Sequence, residues 1–597
     1  MIKVSDFIVH FLERQGVTDV FMLVGGQSMH LNDSIGNSKA IRYISCLHEQ
    51  AAAIAAESYA RCRNNLGVVI VTNGPAATNT LTAVAGAWVE STPLMVICGQ
   101  VKRSDSMRGT DVRQMGVQEV DIVSMARPVT KYSVYIDDPG RIRYELEKCC
   151  YMAKESRPGP VLLDIPLDVQ ASMVDENCLT PFVPDHDPVI PTIEQIKTVS
   201  SLLQHSKRPV LYVGAGVGFA NAQESMILFA EKHQIPVLTT WNGIDLIWDD
   251  HPLYMGRPGA IGQRHANFIL QNADVLITVG TRLSCLQTGF NYDAFARNAK
   301  LIMVDIDQAE LDKVKLHPYL KIRSDARLFF EMMLSETFVV SPQFNVWLSI
   351  CRSWRERYPV IQPEWRQQKD KVNSYCLVDA LSLLMNETDV YCGGRAGTCV
   401  DTVIQTFHVK RGQRVIATKG LSSMGYGVPA ALGAAVAYPG HQIVCCNGDG
   451  GFVMNVQELA VIKNLNLPIK FFVLDNHGYA TVVSTQTNVF DGHFVGCDET
   501  SGLMVGDIQS LSEAYGLKTF RINRNDEIQE VVSQVLLYPG PVVCVVEVSI
   551  TQVIQPRQAN YKTSDGQMAS RPLEDMRPLI DRNELESIMF VSKDSKK

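Results

Sequence analysis

Eight short apolar runs, LGVVIV, PLMVIC, RPVLYV, DVLITV, KLIMVD, QIVCCN, IKFFVL and PVVCVV, recur along the chain, and stretches of helical periodicity separate them. Runs of this length, rich in Val and Ile, read as buried strands, because both faces must be covered if no polar residue alternates with the apolar ones. A strand, a helix and a further buried strand make a βα unit, and repeating that unit builds a parallel sheet with helices on both faces. The expected fold class is therefore α/β, with doubly wound domains and mostly parallel sheets. At 597 residues the chain holds roughly three or four units of ~100–200 residues.

Two proline-rich passages interrupt the pattern, LTPFVPDHDPVIPT and SWRERYPVIQPEWRQQKDKV. Proline withholds a ladder donor and restricts the residue before it, so these passages read as linkers. They place domains at 1–178, 190–338 and 372–550, followed by a tail at 551–597. The tail is rich in proline and charge, shows no sheet pattern, and is expected to lie over the surface.

Charge and cysteine usage narrow the partners. A formal net charge of -8 gives no sign of a nucleic-acid partner. Fifteen cysteines without a CxxC pair indicate reduced thiols rather than a disulfide framework or a zinc site. In MIKVSDFIVHFLERQGV, residues Val4, Phe7, Ile8, Phe11 and Leu12 share one helical face, while Asp6 and Glu13 break a signal-peptide pattern. No apolar run reaches the ~20 residues of a membrane span. The expected compartment is the cytoplasm.

Chemistry is densest in CCNGDGGFVMNVQELAVIKNLNLPIKFFVLDNHGYATV. The first strand delivers Asp449 at its carboxyl end, where open α/β sheets place ligands, and Gly448, Gly450 and Gly451 let the backbone approach a bulky anion. The second strand delivers Asn476, followed by Gly478. A carboxylate, an amide oxygen and a main-chain carbonyl are hard ligands suited to Mg²⁺, which binds through substrate phosphates. A metal-bound diphosphate is the expected ligand. The stretch resembles the thiamine diphosphate (ThDP) signature, with Asp475 standing where many members carry a first Asn.

Catalysis with ThDP needs a carboxylic acid at the aminopyrimidine, and HEQAAAIAAESYAR supplies Glu49 at a helix start among small residues. An apolar setting would raise its pKa, whereas a helix N-terminal carboxylate is also favoured by the helix dipole alone.

Over nearly its whole length the chain resembles the acetolactate synthase branch of the ThDP-dependent enzymes, through HEQAAAIAAESYAR, TNGPAATNTLTAVAGAW, STPLMVICGQV, VQEVDIV, RPGPVLLDIPLDV, GLSSMGYGVPAALGAA and GDGGFVMNVQEL. The resemblance implies a pyrimidine-binding first domain, a central FAD-type domain and a diphosphate-binding third domain. It places Ser422 and Met424 at ThDP, Met424 as the bulky wedge under the cofactor, and Gln118 near the reaction center. FAD contacts are implied at Arg157, Gly280, Arg282, Asp305, Ile306, Ser324 and Asp325. Gly214, in LYVGAGVGFANA, is a fragment of a dinucleotide fingerprint that also reads as a plain turn.

The implied activity decarboxylates pyruvate and transfers the two-carbon unit to a second carbonyl, a 2-keto acid in this branch. The stretch from His477 to Leu517 and the tail look more like flavin-containing carboligases that act on a nucleotide-linked keto sugar, and Arg395 in YCGGRAGTCV could pair with a substrate phosphate. ThDP- and FAD-dependent cleavage of a diketone is a further alternative. The family also implies a homodimer or homotetramer with sites at the subunit interface.

Overall fold

The structure, a computed structural model, describes residues 1–184, 188–313, 315–394 and 398–590. Arg395 lies outside the described residues. Three all-parallel sheets follow one another along the chain, one per domain. No helix among the described residues is long and apolar enough to cross a membrane.

In the first domain the strands are β1 (Asp19–Met22), β2 (Arg42–Ser45), β3 (Gly67–Val71), β4 (Leu94–Gln100), β5 (Tyr132–Tyr135) and β6 (Val161–Pro166), in the order β2-β1-β3-β4-β6-β5. Strands β3, β4 and β6 are buried along their whole length, as their unbroken apolar runs demand. Helix α1 (Glu49–Arg63) follows β2, and α2 (Leu81–Glu90) precedes β4.

The middle domain carries β7 (Pro209–Val213), β8 (Val237–Thr239), β9 (Val275–Val279), β10 (Lys300–Asp305) and β11 (Leu320–Arg323), in the order β8-β7-β9-β10-β11. The order reverses between β7 and β9, and such a switch point opens a crevice at the carboxyl ends of the strands.

In the third domain β12 (Val390–Gly393), β13 (Arg414–Ala417), β14 (Ile443–Gly448), β15 (Ile469–Asp475), β16 (Lys518–Ile522) and β17 (Val542–Glu547) take the order β13-β12-β14-β15-β17-β16. This is the permutation of the first domain, repeated. Helix α3 (Gly427–Ala437) follows β13 as α1 follows β2, and α1 and α3 pack against each other. Small side chains permit this close approach: a Cβ on Gly433 would sit 2.0 Å from the Ala55 carbonyl oxygen. Ser58 Oγ donates to the Ala430 carbonyl across the seam at 2.8 Å.

The tail departs from expectation in part. Although most of it lies over the surface as expected, it carries strand pairing: two antiparallel ribbons, Arg557–Gln558 with Met576–Arg577 and Asn560–Lys562 with Met568–Ser570, then helix Arg582–Ile588. Leu573 and Ile588 join the core of the middle domain. Asn267 donates to the Leu573 carbonyl and Gln271 to the Glu574 carboxylate, so side-chain amides of a buried helix hold both backbone and side chain of the tail. Apolar anchors this widely spaced carry no periodicity, which is why the sequence pattern is silent about them.

Candidate functional site

Two neighboring strand ends build the center of the third domain. Strand β14 ends at Gly448, and the short helix α4 (Asp449–Val453) begins with Asp449 buried. Asp449 Oδ1 accepts from the Gly450 amide at 2.7 Å, while Oδ2 accepts from the amides of Asn476 at 3.3 Å and Gly478 at 3.1 Å, just past β15. Burial, with the nearby Asp475 charge, pushes its carboxyl up to about 6. Asn476 Oδ1 is shielded from solvent and has no hydrogen-bond partner, a costly state for an amide oxygen unless a ligand meets it.

Met424 and Tyr479 meet the same turn. A Cβ on Gly450 would lie 2.4 Å from Tyr479 Cε1 and 3.4 Å from Met424 Cε, so Met424 stands directly against the glycine turn. Gly451 is buried within α4, and a Cβ on Gly478 would collide with the Cys497 carbonyl at 2.4 Å. Ser422 takes a left-handed φ of 60° and donates from Oγ to the Lys419 carbonyl at 2.9 Å. Asp475 turns to a different set of partners. It pairs with His477 Nδ1 at 3.3 Å, and His477 Nε2 reaches Glu547, which Arg521 and Lys371 also hold. With cations already bound, that cluster reads as an ion-pair network rather than a metal site.

Glu49 is the first residue of α1, capped by His48, whose Nδ1 accepts from the Gln50 amide at 3.0 Å. Its Oε2 accepts from Asn79 Nδ2 at 2.9 Å. The side chain is half-buried, so a single chain does not give it the apolar enclosure expected from its alanine-rich helix. Residues that sequence reasoning missed hold it in place. Glu458, fully buried in α5 (Glu458–Asn464), accepts from the Leu47 amide at 3.0 Å, and Asn455 donates to Gln50. Burial pushes the Glu458 carboxyl up to about 7 despite the amide bonds. No local pattern around the QEL triplet marks this role, which depends on a contact between residues 411 apart in sequence.

Gln118 is exposed and left-handed, with φ 64°, on a loop wrapped about the Glu119 carboxylate. A Cβ on Gly74 would lie 2.2 Å from the Gln118 carbonyl, so glycine is required at that crossing.

At the switch point of the middle domain lies a cavity of about 540 Å³. Its walls include Arg157, Gly280, Arg282, Asp305, Ile306, Ser324 and Asp325. Gly214 is not on the wall: it packs beneath it, where a Cβ would meet the Gly280 carbonyl at 2.4 Å, and Ala215 and Gly216 line the cavity instead. It serves the close approach of the chain leaving β7 to the chain leaving β9. Arg157 donates to Asp307 at 2.9 Å and Glu310 at 2.8 Å, tying the first domain to the middle one. Burial pushes Asp305 up to about 6, and the Asp325 carboxylate caps helix Ala326–Ser335 through the Arg327 and Leu328 amides.

The chain matches three family models of thiamine pyrophosphate enzymes: the N-terminal TPP binding domain over residues 2–125, the central domain over 196–333 and the C-terminal TPP binding domain over 395–546. It is 34% identical over 551 residues to acetolactate synthase 1, chloroplastic, of Zea mays, covering 90% of this chain and 84% of that one. The chain belongs to the ThDP-dependent enzymes of acetolactate synthase type. To the acetolactate synthase large subunit of Cyanidium caldarium it is 32% identical over 570 residues, covering 92% and 94% of the two chains. Members of this family are carboligases, and a ThDP-dependent, pyruvate-condensing enzyme follows for this chain as well.

Proposed function

We propose that this chain binds ThDP through Mg²⁺ at Asp449, Asn476 and Gly478, carries FAD in the central cavity, and transfers the two-carbon unit of pyruvate to a 2-keto acid. The observation that carries the reading is the pair of strand ends in the third domain. A buried carboxylate and an orphaned amide oxygen stand side by side, with Met424 packed against the glycine turn. Such a donor set suits a hard divalent ion that bridges to phosphate oxygens.

When bound, ThDP supplies the electron sink that makes loss of CO₂ from a 2-keto acid feasible. The chain's own residues do the rest. Glu49 holds the proton that the aminopyrimidine needs, Met424 and Tyr479 shape the floor, and Gln118 stands at the rim of the first domain. FAD suits the central cavity because the switch point, the glycine turns at Gly216 and Gly280 and the Arg157 and Arg282 guanidinium groups together fit a dinucleotide with a pyrophosphate. Its role here is structural, since the carboligation needs no net electron transfer.

The half-buried Glu49 fits a homodimer or homotetramer in which a second chain completes the enclosure. The domain limits 1–178, 190–338 and 372–550 accord with the span of each sheet. Fifteen free thiols, thirteen of them buried, favour a reducing compartment such as the cytoplasm.

The test is to incubate the protein with pyruvate, ThDP, Mg²⁺ and a panel of 2-keto acids and nucleotide-linked keto sugars, then to identify the products by mass. Acetohydroxy acids are the expected products. Products formed only with a keto sugar would replace the acceptor, and consumption of pyruvate without any ligation product would overturn the carboligase reading.

A further inference from the structure

One carboxylate touches all three domains, and nothing in the reaction described above uses it. Glu90 ends helix α2 of the first domain and is 6% exposed. One carboxylate oxygen accepts from the Lys419 amide at 2.9 Å, from the Gly420 amide and from Thr418 Oγ1, all on the connection that follows β13. The other oxygen accepts from Asn242 Nδ2 of the middle domain and lies 3.8 Å from the Arg282 guanidinium.

Both ends of this link lead to a ligand site. Glu90, Asn242, Arg282 and Gly420 are on the wall of the central cavity, so its occupant meets them directly. On the other side, the Lys419 carbonyl receives the Ser422 hydroxyl, and Met424, two residues further, stands against Gly450 of the diphosphate turn. The connection has no slack at its anchor: a Cβ on Gly420 would sit 2.3 Å from Val89 Cγ1, 3.0 Å from Glu90 Oε1 and 3.2 Å from the Arg282 guanidinium. A buried carboxylate that accepts several amides is a strong, short-range tether, because charge-assisted bonds in a low-dielectric setting outweigh neutral ones.

We propose that Glu90 is a positioning residue through which the occupant of the central cavity sets the 418–424 connection, and with it the affinity of the third domain for ThDP. The inference rests on the reading that places FAD in that cavity and ThDP at Asp449. The two cofactors are then thermodynamically coupled, and coupling between sites is reciprocal. Arg282 pulled toward an occupant changes what Glu90 faces on one oxygen, and the Lys419 and Gly420 amides on the other oxygen follow.

The experiment measures ThDP binding with Mg²⁺ by calorimetry on the full chain, after flavin removal and again after FAD is added back, in wild type, Glu90→Gln and Gly420→Ala. Glu90→Gln keeps the volume and one acceptor oxygen, and Gly420→Ala perturbs the same tether from the opposite side without altering charge. In wild type FAD is expected to tighten ThDP by about fivefold or more, and ThDP to tighten FAD by the same factor. In both variants each cofactor still binds, and the ratio between the two affinities falls toward one. A merely destabilizing substitution would weaken binding with and without FAD alike and leave that ratio unchanged. A wild-type ratio of one, or a ratio preserved in Glu90→Gln, overturns the proposal. Failure of wild type to take up FAD at all instead overturns the occupant assigned to the cavity.

Discussion

The first and third domains share one strand permutation and put that common frame to opposite uses. In the third, the ends of β14 and β15 bring together Asp449, whose carboxylate accepts three backbone amides, and Asn476, whose Oδ1 has no partner. The corresponding strand ends of the first domain are linked side chain to side chain: Asn73 Nδ2 donates to Gln100 Oε1 at 2.7 Å and Gln100 Nε2 to Asp164 Oδ2 at 3.0 Å, while Asn73 Oδ1 and Asp164 Oδ1 have no partner of their own. The connection after the second strand also differs, carrying Glu49 at the start of α1 in one domain and Ser422 with Met424 before α3 in the other. On the proposed reading, a duplicated fold supplies two halves of one site rather than two sites. Function resides in the strand-end residues and not in the frame.

If that division of labor holds, its two acids fail in different ways. Glu49→Gln should lower turnover by about 10²–10⁴-fold, the usual worth of a positioned proton donor, while ThDP affinity stays near wild type. Wild-type-like turnover in the purified variant would remove Glu49 from the chemistry.

Asp449→Ala should act on binding instead. Its ThDP and Mg²⁺ affinity is expected to fall by more than the roughly 10–100-fold that loss of an outer-shell partner costs. Unchanged affinity by calorimetry would show that the metal lies elsewhere.

Mixing the two inactive variants sharpens the contrast. Where each site joins the first domain of one chain to the third domain of another, a mixed dimer has one intact site, and activity returns to about half of the wild-type dimer. Verified mixed dimers without activity would mean that each site is built within one chain.

Smaller effects report on the seam between the halves. Gly433→Ala drives a Cβ into the Ala55 carbonyl and should cost about 1–3 kcal/mol by overpacking, read as a lower denaturant midpoint. An unchanged midpoint would mean that α1 and α3 separate freely.

Glu458 gives that seam a pH dependence. Its folded pKa, raised to about 7, lies above the ~4.3 of an unfolded chain, so its contribution to stability is full below the lower value and is lost as pH rises through about 7. Thermal melts from pH 5 to 8 should fall less steeply for Glu458→Gln than for wild type. Parallel slopes would show that this carboxyl titrates normally.

Much of this was legible in residue order because it is local. Each apolar run needs only its own few residues to declare a buried strand, and the GDG turn and the Asn476 turn announce themselves by falling at the ends of two such runs. Gly214 shows what a motif alone leaves open: its glycine spacing reads either as a cofactor contact or as a plain turn, and the tertiary structure packs it against Gly280. The anchors of the tail carry no local signal for the converse reason. Leu573 and Ile588 are buried by partners some three hundred residues away, which no local pattern encodes.

The sequence by itself therefore determined the α/β class and the parallel sheets, and it nominated the strand-end residues on which the proposed chemistry rests, since periodicity and turn chemistry act over a few residues. Only the tertiary structure decided that the first and third domains repeat one topology, that Glu458 holds the loop of Glu49, and that Glu90 joins three domains at one carboxylate. Those facts depend on pairings across hundreds of residues. Burial and hydrogen bonding are properties of space, and a chain acquires them only once its sheets have packed.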